Sequence, residues 1–231
     1  MTTFVLIPGA GGDAAYWDEL IPELRTRGYG AVAVDIEQDD PRLGLPEYVA
    51  ITEAAIDEAG ADDVVLVAQS LAGFIAPVAG RHPSVRLIVL LNAMVPLPGE
   101  TPGEWWGATG SGPARAAADQ AAGRDPEFDL ERHFLHDIAP EVKARMYENP
   151  PREPADTPFG QPCAFDRWPD VALRVLIGRD DRFFPADFQR RVAAERLGPD
   201  VAVEDIAGGH LVAKSQPVAL AQRLVEYAGA R

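Results

Sequence analysis

The chain has 231 residues, of which 47% are hydrophobic and 25% charged. This is the composition of an ordinary globular domain, and it excludes disordered, collagen-like and coiled-coil proteins. Its 36 acidic and 21 basic residues give a formal net charge of -15, which repels the phosphates of nucleic acids and of anionic lipids. We therefore expect neither a nucleic-acid partner nor a membrane partner.

Six short aliphatic runs predict strands at residues 4–7, 31–34, 64–67, 87–91, 174–177 and 201–206. Most are continuous rather than alternating, which is typical of parallel strands covered on both faces. Segments with helical periodicity and a charged face lie between them, for example at residues 17–24 and 218–227. The alternation predicts an α/β fold with a parallel sheet.

The alternation stops over residues 96–169, which hold many prolines, all but one of the four tryptophans and no strand-like run. We therefore expect a core formed by residues 1–95 and 170–231, with a helical or irregular insertion at residues 96–169. The most apolar stretch, residues 87–91, is far shorter than the roughly 20 residues that span a bilayer. The single cysteine, Cys163, and a start without a basic segment or cleavage site favour the cytoplasm.

A serine stands directly after the third predicted strand, in the segment A-Q-S-L-A-G at residues 68–73, and a helix is predicted at residues 74–80. A sharp turn between strand and helix needs small residues two positions before and after Ser70, where Ala68 and Ala72 stand. The usual pattern at a nucleophilic serine is G-x-S-x-G, so both glycines are replaced here. Taken alone, such a serine also serves as a helix cap.

Three other strand ends carry chemistry-bearing residues. The turn P-G-A-G-G at residues 8–12 leaves backbone amides free to donate to an anion, and it lacks the G-x-G-x-x-G pattern and the lysine of nucleotide-binding loops. Asp180 and Asp181 follow the fifth strand, where one could orient a histidine and the other could cap or pair with an arginine. His210 follows the sixth strand and is the one histidine of four at a strand end.

The other three histidines favour structural roles. His82 lies at a helix end, where it stabilises the terminal carbonyls. His133 and His136 are spaced for one helix face, but neither cysteine nor a third ligand is near them. We expect no metal and no organic cofactor.

Serine, acid and histidine follow one another in the order of α/β-hydrolases. With I-P-G-A at residues 7–10, G-R-D-D at 178–181 and G-G-H at 208–210, the chain resembles the α/β-hydrolase superfamily. The resemblance is to the compact branch of plant-type esterases, hydroxynitrile lyases and their bacterial relatives. It implies a six-stranded, mainly parallel sheet of order 2-1-3-4-5-6 flanked by helices, with the insertion as a helical lid over Ser70.

The resemblance also implies residue roles. Ser70 would be the nucleophile, His210 the general base and Asp181 the acid, with the amides of Ala10 and Leu71 as the oxyanion hole.

Two adjacent aspartates are candidates for the acid. Asp181 fits the family's G-x-x-D spacing from Gly178, and Asp180 remains the alternative. Some relatives carry the acid after the fourth strand, but Asn92 stands there, and an amide cannot stabilise an imidazolium.

The implied activity is a serine hydrolase that cleaves small to medium apolar or aromatic carboxylic esters through an acyl-enzyme. Thioester or carbon-carbon bond hydrolysis and a small-molecule sensor on the same fold remain alternatives. Lyase activity is disfavoured because Leu211 and Gly9 replace the family's lysine and threonine. We expect a small-molecule substrate, a monomer or homodimer, and a pocket lined by Gly9, Gln69, Asn92, Trp105, Trp106 and Phe183.

Overall fold

Six strands form one sheet in the middle of the molecule. In the computed structural model, which describes residues 1–229, they are β1 Thr3–Ile7, β2 Gly30–Ala33, β3 Val64–Gln69, β4 Val85–Leu91, β5 Ala172–Gly178 and β6 Ala202–Ile206. Their order is β2-β1-β3-β4-β5-β6, and every neighbouring pair is parallel. The predicted α/β fold and strand order are confirmed. Residues 230 and 231 of the predicted core range lie outside the described residues.

Helices connect the strands and flank the sheet. The α-helices are α1 Leu20–Thr26, α2 Leu45–Ala59, α3 Ala76–Ala79, α4 Pro102–Thr109, α5 Ser111–Ala121, α6 Leu130–His133, α7 Pro140–Glu148, α8 Ala186–Leu197, α9 Val212–Ser215 and α10 Pro217–Gly229. Short 3-10 helices cover Ala14–Trp17, Ser70–Phe74 and Thr157–Gly160. Within residues 1–229, none of the helices has the length and apolar character needed to cross a membrane.

The sheet is buried on both faces, which explains the continuous apolar runs of its strands. Side chains alternate between the two faces of a strand. In β1, Phe4 and Leu6 pack with helices α1, α9 and α10, whereas Val5 and Ile7 face helices α2, α3 and α8. All four side chains are completely buried. The two hydrophobic cores together fix the strand ends at which the candidate site lies.

Residues 96–169 lie entirely within the described part of the chain and contain α4 to α7, the last 3-10 helix and no strand. Trp105 from α4 belongs to the core on the face of the sheet that α2, α3 and α8 cover, and it packs on Phe184 and Phe188. Inside the insertion, the buried carboxylate of Asp119 accepts a hydrogen bond from Arg124 Nε at 2.8 Å and lies 2.9 Å from His133 Nε2. The contacts of Trp105 anchor the insertion to the core, and those of Asp119 form a buried polar cluster within the insertion.

Candidate active site

Ser70 stands at a strained turn between β3 and the helix that follows. Its φ is +51°, in the left-handed region that non-glycine residues rarely adopt and that clusters at functional sites. We expected the next helix to begin at residue 74, but a 3-10 helix begins at Ser70 itself. Ala68 and Ala72 are fully buried, and a Cβ on Gly73 would overlap the carbonyl oxygen of Met94. The turn therefore requires small residues because the neighbouring backbone lies against it.

The structure brings Ser70, His210 and Asp181 into one hydrogen-bonded chain. Ser70 Oγ lies 3.1 Å from His210 Nε2, and His210 Nδ1 lies 2.8 Å from Asp181 Oδ2. The three residues are 8%, 1% and 5% exposed, respectively. Asp180 lies elsewhere: its half-exposed carboxylate accepts from the Gly208 amide at 3.2 Å. Of the two candidate acids, the one that the family spacing selected is the one beside His210.

Four donors surround the carboxylate of Asp181. Oδ1 accepts from the amides of Phe183 and Phe184 at 2.8 and 2.9 Å, and Oδ2 accepts from Gln189 Nε2 at 3.2 Å besides facing His210. The turn after β5 and α8 thus fix the carboxylate with one oxygen toward the histidine. Gln189 was missed by the sequence analysis; its only signal is a glutamine on the buried face of α8.

Asn92 does not line a pocket as we expected. It is completely buried with a φ of +46°, and its Nδ2 donates to the carbonyls of Gly209 and His210 at 3.0 and 3.1 Å. Its Oδ1 accepts from the Gly178 amide at 2.6 Å. The pocket prediction for Asn92 is therefore wrong, because its amide is used to join β4, β5 and the histidine turn.

The turn at residues 8–12 is shaped by Gln38, another residue that the sequence analysis missed. Gln38 is buried; its Nε2 donates to the carbonyls of Gly9 and Gly12 at 2.8 and 2.9 Å, and its Oε1 accepts from the Gly11 amide at 3.0 Å. The amide of Ala10 takes part in none of these three bonds. It remains a candidate donor to a substrate oxygen.

The same turn approaches Ser70 closely. A Cβ on Gly9 would lie 2.8 Å from Ser70 Cβ and would overlap the side-chain amide of Gln69, so only glycine fits there. Leu71 is the second residue of the 3-10 helix that begins at Ser70, and the first amides of a helix lack intrahelical partners. Gly9 and Leu71 thus lie beside the serine, and the place of Ala10 in an oxyanion hole stays a prediction. Gln69 is buried between Gly9 and the backbone of His210.

Aromatic rings enclose His210. The ring centroids of Phe134, Phe183 and Phe184 lie 5.0, 5.1 and 5.1 Å from that of the imidazole. Phe134 comes from the insertion, and it contacts Phe183 at 4.5 Å. The ring of Phe128, which is 50% exposed, lies 6.0 Å from Phe183. An aromatic row thus leads from the surface of the insertion to the histidine.

The two tryptophans of α4 differ in their surroundings. Trp106 is only partly buried, and its ring lies 5.6 Å from that of Phe183, so its place in a pocket stays a prediction. Trp105 is completely buried, and its Nε1 donates to the Val95 carbonyl at 3.1 Å. The prediction that Trp105 lines the pocket is wrong because its whole surface is used in the core.

Other places offer less chemistry. α6 ends at His133, so His133 and His136 do not share a helix face. In residues 1–229, no three His, Cys, Asp or Glu side chains are grouped so as to hold a metal ion. Two shallow surface depressions, beside Cys163 and beside Trp168, lie apart from Ser70 and include none of the site residues.

The chain is similar to known hydrolases in sequence. Residues 4–223 match the model of the alpha/beta hydrolase family. A pyrethroid hydrolase of Sphingobium wenxiniae is 27% identical over 255 residues, covering 100% of this chain and 89% of the relative.

Solved structures show the same fold. An extracellular α/β-hydrolase from a Paenibacillus species, described as sharing structural and functional homology with tobacco salicylic acid binding protein 2, has a TM-score of 0.78 at 20% identity, with both chains fully covered. Polyneuridine aldehyde esterase has a TM-score of 0.77 at 19% identity, covering 99% of each chain. The resemblance to the plant-type esterase branch is thus confirmed in the fold. The chain belongs to the alpha/beta hydrolase family.

Proposed function

We propose that the protein is a serine hydrolase that cleaves small to medium apolar or aromatic carboxylic esters. The observation that carries the proposal is the buried chain from Ser70 through His210 to Asp181, with distances of 3.1 and 2.8 Å. A relative named as a pyrethroid hydrolase and a structural neighbour named as an esterase support hydrolysis of an ester.

The residues have complementary roles in this chemistry. Ser70 Oγ attacks the ester carbonyl carbon while its proton passes to His210 Nε2, and Asp181 holds the Nδ1 proton on the far side of the ring. The amides of Ala10 and Leu71 donate to the oxygen that becomes negative. The tetrahedral intermediate then collapses, and the leaving alkoxide takes the proton from His210.

The second half of the reaction uses the same groups. The product of the first half is an ester between the substrate's acyl group and Ser70 Oγ. His210 takes a proton from water, whose oxygen attacks the acyl carbon, and returns that proton to Ser70 as the carboxylic acid leaves. No external oxidant, reductant or cofactor is needed for the balance of either half.

The surroundings of His210 favour apolar substrates. His210 must protonate the leaving alcohol, so the rings of Phe134 and Phe183 lie beside the place where the alcohol group passes. Aromatic surface of this kind binds apolar groups and gives an anionic group no partner. Because Phe134 belongs to the insertion, the contact supports residues 96–169 as a lid over Ser70.

A panel of p-nitrophenyl esters tests the proposal. The wild type should hydrolyse the acetate, butyrate and benzoate. It should also hydrolyse phenyl acetate at least about tenfold faster than 4-acetoxybenzenesulfonate, whose alcohol group carries a negative charge past the rings of Phe134 and Phe183. Ser70→Ala should lower kcat by about 10⁴-fold or more with the fold retained. A fluorophosphonate probe should label Ser70 in the wild type, as peptide mass spectrometry would show.

Other outcomes would point elsewhere. Turnover of Ser70→Ala close to that of the wild type would reduce Ser70 to a helix cap. Faster hydrolysis of thioesters than of matched oxygen esters would favour thioesters as the substrate class. Thermal stabilisation by aromatic ligands without turnover of any ester would support the sensor alternative.

A further inference from the structure

The insertion touches both turns that carry proposed catalytic residues, through two adjacent side chains after α6. Asp137 Oδ2 accepts a hydrogen bond from the Gly209 amide at 2.6 Å. His136 Nε2 donates to the carbonyl oxygen of Asp180 at 3.1 Å. Gly209 directly precedes His210, and Asp180 directly precedes Asp181. The pair therefore spans the histidine turn and the acid turn from the insertion side.

Gly209 is held from two directions. Its amide donates to Asp137 of the insertion, and its carbonyl accepts from Asn92 Nδ2 of the sheet at 3.0 Å. A Cβ on Gly209 would lie 2.9 Å from Asp137 Oδ1, closer than real Cβ atoms come, and 3.0 Å from His136 Nε2, which is a tight contact. Glycine at this position lets the two side chains approach the backbone.

The histidine turn needs such restraint. Two consecutive glycines, Gly208 and Gly209, precede His210, and glycine has more backbone freedom to lose than any other residue. Gly208 has a φ of +123°, which favours glycine. Hydrogen bonds at both ends of the Gly209 residue remove this freedom at the point where it would displace the imidazole.

His136 is suited to its own contact. Burial lowers the pKa of His136, outweighing the neighbouring charge of Asp137, which acts in the opposite direction. The lowered pKa favours the neutral ring, and the proton on Nε2 is the one that the Asp180 carbonyl accepts. Its Nδ1 lies 3.8 Å from Asp137 Oδ1, a buried oxygen for which residues 1–229 supply no hydrogen-bond partner.

We propose that Asp137 is a positioning residue for the hydrolytic reaction, holding the turn that carries His210 at the distance from Ser70 that proton transfer requires, with His136 steadying the acid turn beside it. The inference rests on the proposed function, since it gives Asp137 a part in that reaction. Because Asp137 belongs to residues 96–169, the position of His210 depends on the insertion being packed against the turn at Gly209.

Two substitutions of Asp137 and one control test the inference. Asp137→Ala should lower kcat about tenfold or more with KM within about twofold, because misplacement of a catalytic group slows the chemical step. Asp137→Asn keeps an acceptor oxygen for the Gly209 amide and should restore kcat to within about threefold of the wild type. Asp57→Ala is the control: exposed Asp57 has its Oδ1 3.1 Å from His82 Nε2, near the start of β4 and away from the strand ends that carry the site. It should change neither kcat nor KM.

Amide hydrogen exchange supplies a readout that does not depend on activity. Exchange at Gly209 and His210 should be at least about tenfold faster in Asp137→Ala than in the wild type, since one hydrogen bond holding the turn is lost. It should be unchanged in Asp57→Ala. A rise in KM with unchanged kcat, or an Asp137→Asn variant as slow as Asp137→Ala, would overturn the inference.

The measurements separate this inference from the proposed function. A wild type without Ser70-dependent turnover would contradict the proposed function and with it the catalytic part of the inference, whereas faster exchange would still show that Asp137 holds the turn. Normal turnover with unchanged kcat and exchange in Asp137→Ala would contradict the inference alone. If Asp137→Ala does not fold, His136→Ala should lower kcat about threefold at constant KM, and an unchanged kcat would overturn the inference.

Discussion

Replacing Asp181 by asparagine changes the proposed chemistry while keeping the size of the side chain. Asp181 Oδ1 faces the amides of Phe183 and Phe184, and Oδ2 faces Gln189 and His210. An asparagine can place its oxygen on only one of these sides. Its NH₂ group must then face donors on the other side.

The cost of the two orientations decides the outcome. With its NH₂ toward the backbone, the asparagine would leave two amides without acceptors, at about 1–3 kcal/mol for each buried group. With its oxygen toward those amides, the NH₂ faces His210 Nδ1, which must then give up its proton and accept. The imidazole proton moves to Nε2, and His210 can no longer accept the proton of Ser70. We expect kcat to fall by about 10⁴-fold, equivalent to about 5 kcal/mol of transition-state stabilisation.

The assay is steady-state hydrolysis of p-nitrophenyl butyrate, with thermal unfolding as a check on the fold. KM should change little because Asp181 is buried behind His210. Asp180→Asn is the matched control: its half-exposed side chain keeps an acceptor for the Gly208 amide, so kcat should stay within about threefold. A loss smaller than about tenfold in Asp181→Asn, or a larger loss in Asp180→Asn, would refute the assignment of the acid.

Three further predictions address the supports of the site. Gln38→Ala removes three hydrogen bonds from the turn at residues 8–12 and should lower kcat about tenfold to a hundredfold in the same assay. An unchanged kcat would show that Gln38 does not position this turn for catalysis. Gly73→Ala should prevent folding or sharply lower Tm because a carbonyl oxygen occupies the place of the added Cβ, whereas Gly107→Ala, with open space around it, should not. Burial opposes ionisation of Asp119, but hydrogen bonds from His133 and a neighbouring arginine outweigh it and lower its pKa. The stability from Asp119 is therefore present above the ordinary carboxyl pKa of about 4 and is lost as pH falls through the lowered value. Asp119→Asn should reduce the free energy of unfolding by about 3 kcal/mol at pH 7, and this difference from the wild type should disappear in acid. A difference that does not change with pH would contradict the role of the ionised carboxylate.

Much of the site could be predicted because its signals are local in the chain. A run of apolar residues followed by a turn marks the end of a strand, and parallel strands bring their carboxyl ends to one edge of a sheet. Ser70, Asp181 and His210 each follow such a run, and the structure places them within hydrogen-bond distance of one another. The strand order followed from the resemblance to the family, and strand bounds differ from the predicted ones by at most two residues.

Only the tertiary structure decided how the site is supported. Gln38, Gln189 and Asp137 each bond to a turn that is distant in sequence or on another element, and no local pattern marks such a bond in advance. Asn92 stands at a strand end like the proposed catalytic residues, yet its amide is used up by the backbone of neighbouring turns.

The same distinction holds for the insertion. Its composition predicted an aromatic, strand-free segment, but adjacent tryptophans of identical chemistry have different environments: Trp105 is in the core and Trp106 faces the aromatic row. Consecutive residues of a helix point about 100° apart, so a side chain's environment depends on how the helix is rotated against the sheet. The sequence by itself therefore determined the elements and the chemistry at their ends. The tertiary structure decided which side chains meet, because those contacts depend on how separate helices, strands and turns pack against one another.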